Sequence, residues 1–231
     1  MDPSPPAAED PGGEEPNAMG HDRSSADTRE RILAVAETQF ARKGFAGAHL
    51  QAIAEEVGVQ KTALYYYFPS KAALYVAVFS RMVEDFDRCV STAIERDLPH
   101  RERFECFIDD FNDLLAEKSN YSLILLRIFV DSAGVDLAPL ADGIRSVIST
   151  ILGFYREGVA NGTFRKMSSR HLFQSLLGSI VFFYAARDFS QVVLGVDDIF
   201  ARSVVAWRRE EVRRLLTGGV LFHDREDGSD D

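Results

Sequence analysis

Proline placement constrains this chain most. Five of its eight prolines fall in the first 20 residues, and between residues 21 and 217 only Pro69, Pro99 and Pro139 remain. Proline lacks the backbone donor that a helix interior needs, so the proline-poor middle is free to be helical. Each of the three sits where one helix can give way to the next. No segment alternates apolar and polar residues over strand lengths, whereas apolar residues recur at helical spacing. The pattern predicts an all-α fold of about nine helices, near residues 26–43, 49–56, 60–67, 70–97, 100–118, 121–133, 137–161, 168–189 and 197–217.

The two ends read differently. Residues 1–23 are rich in Pro, Gly and acid and too poor in apolar groups to order themselves, so a disordered tail is expected. Residues 218–231 form a second, acidic tail. Residues 1–20 carry −5 and residues 219–231 carry −4 of the net −10, which leaves −1 for everything between. The acidic total therefore does not argue against a nucleic-acid partner, because binding depends on local patches.

With 231 residues, 17 Phe, 7 Tyr and 1 Trp, the chain can bury a sizeable core. Two cysteines, Cys89 and Cys106, are too few for a disulfide scaffold or a cysteine-based zinc cluster. They are either inert core thiols or a redox pair. The five histidines are scattered, and no metal or cofactor is expected. No apolar run is long enough to span a membrane, and the N-terminus lacks the order of a secretory signal. A soluble, cytoplasmic protein with no membrane partner is expected. No GxSxG, HExxH, P-loop or paired-carboxylate motif points to an enzyme.

The first helix is signposted at both ends. Asp27 and Glu30 have capping-box spacing, and Ile32, Val35, Ala36 and Phe40 share one face. Lys43-Gly44 supplies a cationic last turn and a stop. Residues 50–69, LQAIAEEVGVQKTALYYYFP, then read as two short helices around a Val57-Gly58-Val59 turn. Small Ala54 permits close crossing, Gly58 permits the turn, and Ile53, Val57, Val59 and Leu64 point inward. This is a helix-turn-helix, whose second helix enters the DNA major groove. Gln60, Lys61 and Thr62 lie at that helix's N-terminus, with side chains suited to base edges. Tyr65, Tyr66 and Tyr67 project about 100° apart and cannot all be buried. Ser70 and Lys71 open the next helix, where free N–H groups and a cation favour phosphate.

These residues carry a resemblance. Thr28 to Leu33, Phe40 to Phe45, Ile53 to Val59, Leu64 to Phe68 and Ser70 to Leu74 resemble the TetR/AcrR family of bacterial transcriptional regulators. The resemblance implies a homodimer on a palindromic double-stranded DNA operator. It implies base or nearby backbone contacts from Lys61, Thr62, Tyr65 and Tyr66, and phosphate contacts from Gln60, Tyr67 and Lys71. His49, Ala63 and Tyr67 depart from the family pattern, and all three belong to the expected DNA-reading set. His49 stands where a Ser or Thr usually caps the second helix, and is either structural or a phosphate contact. The DNA-binding domain is expected over 24–71, and a ligand and dimerisation domain over 72–217.

In that larger half, Phe86, Phe107, Phe111, Tyr121, Leu125, Phe129, Phe154, Tyr155, Phe173 and Tyr184 are candidates to line a pocket for a small hydrophobic effector. Arg127, a cation in an apolar helix, either anchors a carboxylate there or pairs with Asp131. The last two helices look suited to a second copy, through Leu176, Gly178, Ser179, Phe183, Phe200, Val204, Val212 and Leu215, or form a buried hairpin. The expected function is a ligand-released repressor. The alternatives are an activator or a partner-binding relative.

Overall fold

The computed structural model describes residues 18–130, 136 and 138–221, and only the backbone of 18–24, 129 and 130. The expected tails at 1–17 and 222–231, the Phe129 side chain and Asp131 lie outside the described residues.

The architecture is all-α. Three helices make a head: α1 (Ala18–Gly47), α2 (Leu50–Val57) and α3 (Lys61–Tyr67). Seven make the body: α4 (Lys71–Ile94), α5 (His100–Glu117), α6 (Ser119–Val130), α7 (Ala141–Ala160), α8 (Ser169–Ala185), α9 (Arg187–Leu194) and α10 (Arg202–Val220). Among the described residues the only extended pairing is an antiparallel bridge between Phe164 and Leu221.

Ile32, Leu33, Ala36 and Phe40 of α1 close on Ile53, Ala54 and Val57 of α2 and Leu64 of α3, all essentially buried. Gly44 breaks α1 at φ 69°, where a side chain would be strained, and turns the chain toward α2. Gly58 ends α2 at φ 81°, and its N–H and that of Val59 both reach the Ala54 carbonyl. The Arg31 guanidinium donates to the Val57 carbonyl, fastening α1 to this turn.

The expectation is corrected in four places. α1 starts at Ala18, so residues 18–23 are helical and Asp27 lies inside the helix rather than capping it. Beyond Pro16 no proline prevents that extension. The helix expected over 168–189 is two helices bent by 87°. Ala186 leaves helical geometry at ψ 43°, and Ser190, buried, donates through Oγ to the Phe183 carbonyl freed by the bend. The helix expected from 197 begins at Arg202, because the Asp198 carboxylate accepts from the Phe200 N–H and folds a turn first. Its other end runs to Val220, into the stretch assigned to the acidic tail.

The turn after α7 holds the body's far end together. The Phe164 ring stands among His100, Phe104, Phe154 and Tyr155, with centroids 5.2–5.9 Å away. It leaves Gly158 no room for a side chain, since a Cβ there would come within 2.1 Å of it. Arg165 N–H donates to the Val220 carbonyl at 2.8 Å, tying this turn to the end of α10.

Candidate nucleic-acid interface

α3 buries one residue fully and presents four to solvent. Leu64 is fully buried, while Lys61, Thr62, Tyr65 and Tyr66 are exposed, Tyr66 by 82%. Burying Leu64 fixes the helix's rotation, and that rotation presents the other side chains to solvent. The Lys61 ammonium lies 5.9 Å from the centroid of the Tyr65 ring. Tyr67 and Ala63 are half-buried, and Tyr67 meets Tyr66 edge to face at 5.2 Å. Gln60 is the exposed N-cap of α3.

Lys61 shares an open cleft with His49, Tyr65, Ser70 and Lys71, so the starts of α2, α3 and α4 converge on it. His49 is the exposed N-cap of α2 and makes no side-chain capping bond. Ser70 caps α4, its Oγ accepting from the Ala73 N–H at 3.0 Å. The Lys71 ammonium donates to the Ala46 carbonyl at 3.0 Å and stands over the Phe45 ring. An ammonium has three donors, so it can still meet a phosphate.

The body contains an apolar cavity of about 200 Å³ between α4, α5, α6, α7 and α8. Phe86, Phe107, Phe111, Leu125 and Phe173 face it. Five other expected residues with described side chains do not. Phe154 and Tyr155 pack around Phe164 instead. Tyr121 donates to Asp85 at 2.6 Å and Tyr184 to Asn112 at 3.0 Å, since a buried phenol needs a partner. Arg127 points away from the cavity: its Nε donates to the Ala41 carbonyl and its Nη2 to the Arg42 carbonyl, at the end of α1's regular run. A helix C-terminus offers unpaired carbonyls and a negative dipole end, which attract a cation. The α7 wall of Ile144, Val147, Ile148 and Ile151 is not among the expected residues, although its i, i+3, i+4, i+7 spacing is legible in the sequence.

The expected interface residues divide. Leu176, Phe183 and Val212 are buried within the chain, and Leu176 also lines the cavity. Ser179, Phe200 and Val204 are half-buried, and Gly178 and Leu215 are exposed. A larger exposed set was missed: Phe182, Phe189, Val192, Val193 and Trp207, around a groove between α8, α9 and α10. A lone Trp directly before a charged Arg-Arg-Glu-Glu run on a helix was the available signal. Arg208 lies over the Phe183 ring at 4.6 Å and donates to the Ser179 carbonyl, joining α10 to α8.

Both cysteines are free and half-buried. Burial, aided by the Asp110 carboxylate, pushes the Cys89 thiol up to about 12. No group of three or more His, Cys, Asp or Glu among the described residues is placed to hold a metal ion. No single described helix is long and apolar enough to cross a membrane.

Residues 32–78 match the family of bacterial regulatory proteins named tetR. The HTH-type transcriptional regulator RutR of Escherichia coli O157:H7 is 26% identical over 201 residues, 86% of this chain and 92% of that one. The HTH-type transcriptional activator FasR of Mycolicibacterium smegmatis is 31% identical over 115 residues, 49% of this chain and 52% of that one. The solved structure of the ketosteroid regulator KstR2 of Mycobacterium tuberculosis shares the fold at a TM-score of 0.67 and 13% identity, covering 84% of this chain and 95% of that one. FadR of Bacillus subtilis, solved in complex with stearoyl-CoA, does so at 0.61 and 20%, covering 84% and 99%. The matched head, the relative aligned over most of its length and the shared fold agree: the chain carries a tetR-type DNA-binding head and is similar to transcriptional regulators of that family.

Proposed function

We propose that this regulator is a homodimeric repressor that leaves a palindromic operator when a small hydrophobic ligand occupies the body. Residues 24–71 read DNA, and residues 72–217 bind ligand and the second copy. The observation that carries the reading is α4: Lys71 at its first turn borders the DNA-facing cleft, and Phe79, Val83, Phe86 and Val90 further along it line the cavity. One rigid element thus touches both sites.

In this reading, Lys61, Thr62, Tyr65 and Tyr66 contact base edges and nearby backbone. His49, Gln60, Tyr67 and Lys71 hold phosphates, with half-buried Ala63 adding close contact beside them. Two heads must sit about 34 Å apart to enter successive major grooves. A ligand that fits only a conformer with different head spacing shifts the population away from the DNA-bound form. The second copy packs on the face of Phe182, Phe189, Val192, Val193 and Trp207, with Gly178 and Leu215 nearby. A cluster of large apolar side chains left in water favours such a partner. The protein acts in the cytoplasm, where it reaches its operator, and catalyses no reaction.

Selection from a random duplex pool tests the reading. The intact chain enriches a palindrome, and the Lys61→Ala/Tyr66→Ala chain does not. No enrichment at low salt from folded dimer defeats it. The name of FasR supports a second reading, activation. A reporter behind the enriched site separates the two: expression falls with the protein present for a repressor and rises for an activator.

A further inference from the structure

The cavity names a narrower ligand class than a hydrophobic effector. Every described residue that lines it is Phe, Val, Leu or Ile. The phenol of Tyr121, whose ring meets the lining residue Phe86, is already bonded to Asp85. The buried side-chain atoms left without a partner among the described residues belong to Gln39, Arg103, Asp109, Arg187 and Arg208, none of which lines the cavity. The described lining therefore offers a ligand no side-chain hydrogen bond, and a polar atom carried against it loses its water without replacement.

Size sets the other limit. The volume is about 200 Å³. An apolar cavity of about 150 Å³ stays dry and takes benzene, so in proportion this one holds about eight carbon atoms. That is below the roughly 300 Å³ at which drug-sized sites begin.

Building on the effector reading above, we propose that the cavity takes a purely hydrocarbon body of about eight carbons, ring or chain, with any polar head outside its wall. A stearoyl chain is too long to enter whole.

Calorimetric titration of the full chain with straight-chain alcohols from 1-butanol to 1-dodecanol tests this. Affinity should rise about fourfold per added methylene and stop rising near eight carbons. 2-Pentyloxyethanol, as long as 1-octanol but with one chain methylene replaced by oxygen, should bind about tenfold or more weaker. Ethylbenzene should compete with 1-octanol one for one. Ile148→Phe places a ring in the cavity and should weaken 1-octanol at least tenfold without lowering the Tm. The alcohol series uses the unaltered chain, so it stands however that variant folds. Affinity still climbing at 1-dodecanol, equal binding of the ether, absent competition by ethylbenzene or no saturable binding would each overturn the proposal. The titration contains no DNA, so a failure of operator binding or release leaves its result intact.

Discussion

Arg127 Nε donates to the carbonyl of Ala41 at 2.9 Å, joining the body to the last regular turn of the head's first helix. Its neighbours on α6, Leu125 and Ile128, line the cavity. Replacing Arg127 by Met keeps an apolar stem but strips the donors from two carbonyls. A charge-assisted bond contributes roughly 1.5–3 kcal/mol, and water can replace the exposed one to Arg42, so Arg127→Met should lower stability by about 2–3 kcal/mol in chemical denaturation. Amide exchange should quicken most around residues 41–47. Exchange quickening only in the body would contradict a clamp.

Tyr66 and Leu64 should separate function from folding. Tyr66 is 82% exposed, so Tyr66→Ala should change stability by about 0.5 kcal/mol or less and weaken specific DNA binding about tenfold or more. Leu64 is fully buried, and Leu64→Ala should cost about 2–5 kcal/mol. Thermal melts beside gel-shift titrations check both. A Tyr66→Ala chain that melts early would reassign the residue to the head's core.

Gly158 faces the Phe164 ring so closely that a Cβ there would stand 2.1 Å from Cδ2. Gly158→Ala should cost about 1–3 kcal/mol through overpacking. Pairing it with Phe164→Leu should recover part of that loss, because the smaller side chain vacates the space. A double-mutant cycle on urea midpoints gives the coupling. Zero coupling would mean that the clash is relieved elsewhere.

Trp207→Glu and Val193→Asp place charge on the exposed face of α8 to α10. Both residues are already in water in the single chain, 48% and 63% exposed, so the fold should survive. Sedimentation should show a folded monomer where the parent chain gives a dimer. An unchanged dimer would move the interface to another face.

Cys89 supplies a pH test. Its thiol is raised from 9.0 to about 12, chiefly by burial. The folded state therefore keeps a proton that the unfolded chain gives up. This contribution to stability is full below pH 9 and is lost as pH climbs toward 12. In a Cys106→Ser chain, a thiol reagent at pH 8 should label Cys89 only in step with unfolding. Prompt labelling of the native chain would show an accessible thiolate.

The head was legible because its signals are local. Gly44, Gly58 and Ser70 punctuate it within about 30 residues, and the rotation of α3 follows from one apolar residue, Leu64. The body was legible only as helices. Tyr121 and Tyr184 read as pocket aromatics, yet their hydroxyls needed Asp85 and Asn112, partners 36 and 72 residues away in sequence. The Arg127 contact lies 86 residues from its acceptor, and no spacing within α6 foretells it. The α8–α9 bend depends on one buried serine hydroxyl, which composition does not reveal.

α10 is lashed to α5 by two ion pairs, Arg209 to Asp113 at 2.7 Å and Arg213 to Asp109 at 2.9 Å. Its end is tied again at the Phe164–Leu221 bridge. α5 also supplies Phe107 and Phe111 to the cavity. It is thus the fixed jaw of a vice, clamped to the helix that presents Trp207 to solvent. The jaws facing it are α4 and α6, one leading into the head and the other holding α1 through Arg127. In the mechanism proposed above, a guest wedged between them does its work on the head, while the face proposed for a second copy keeps its shape.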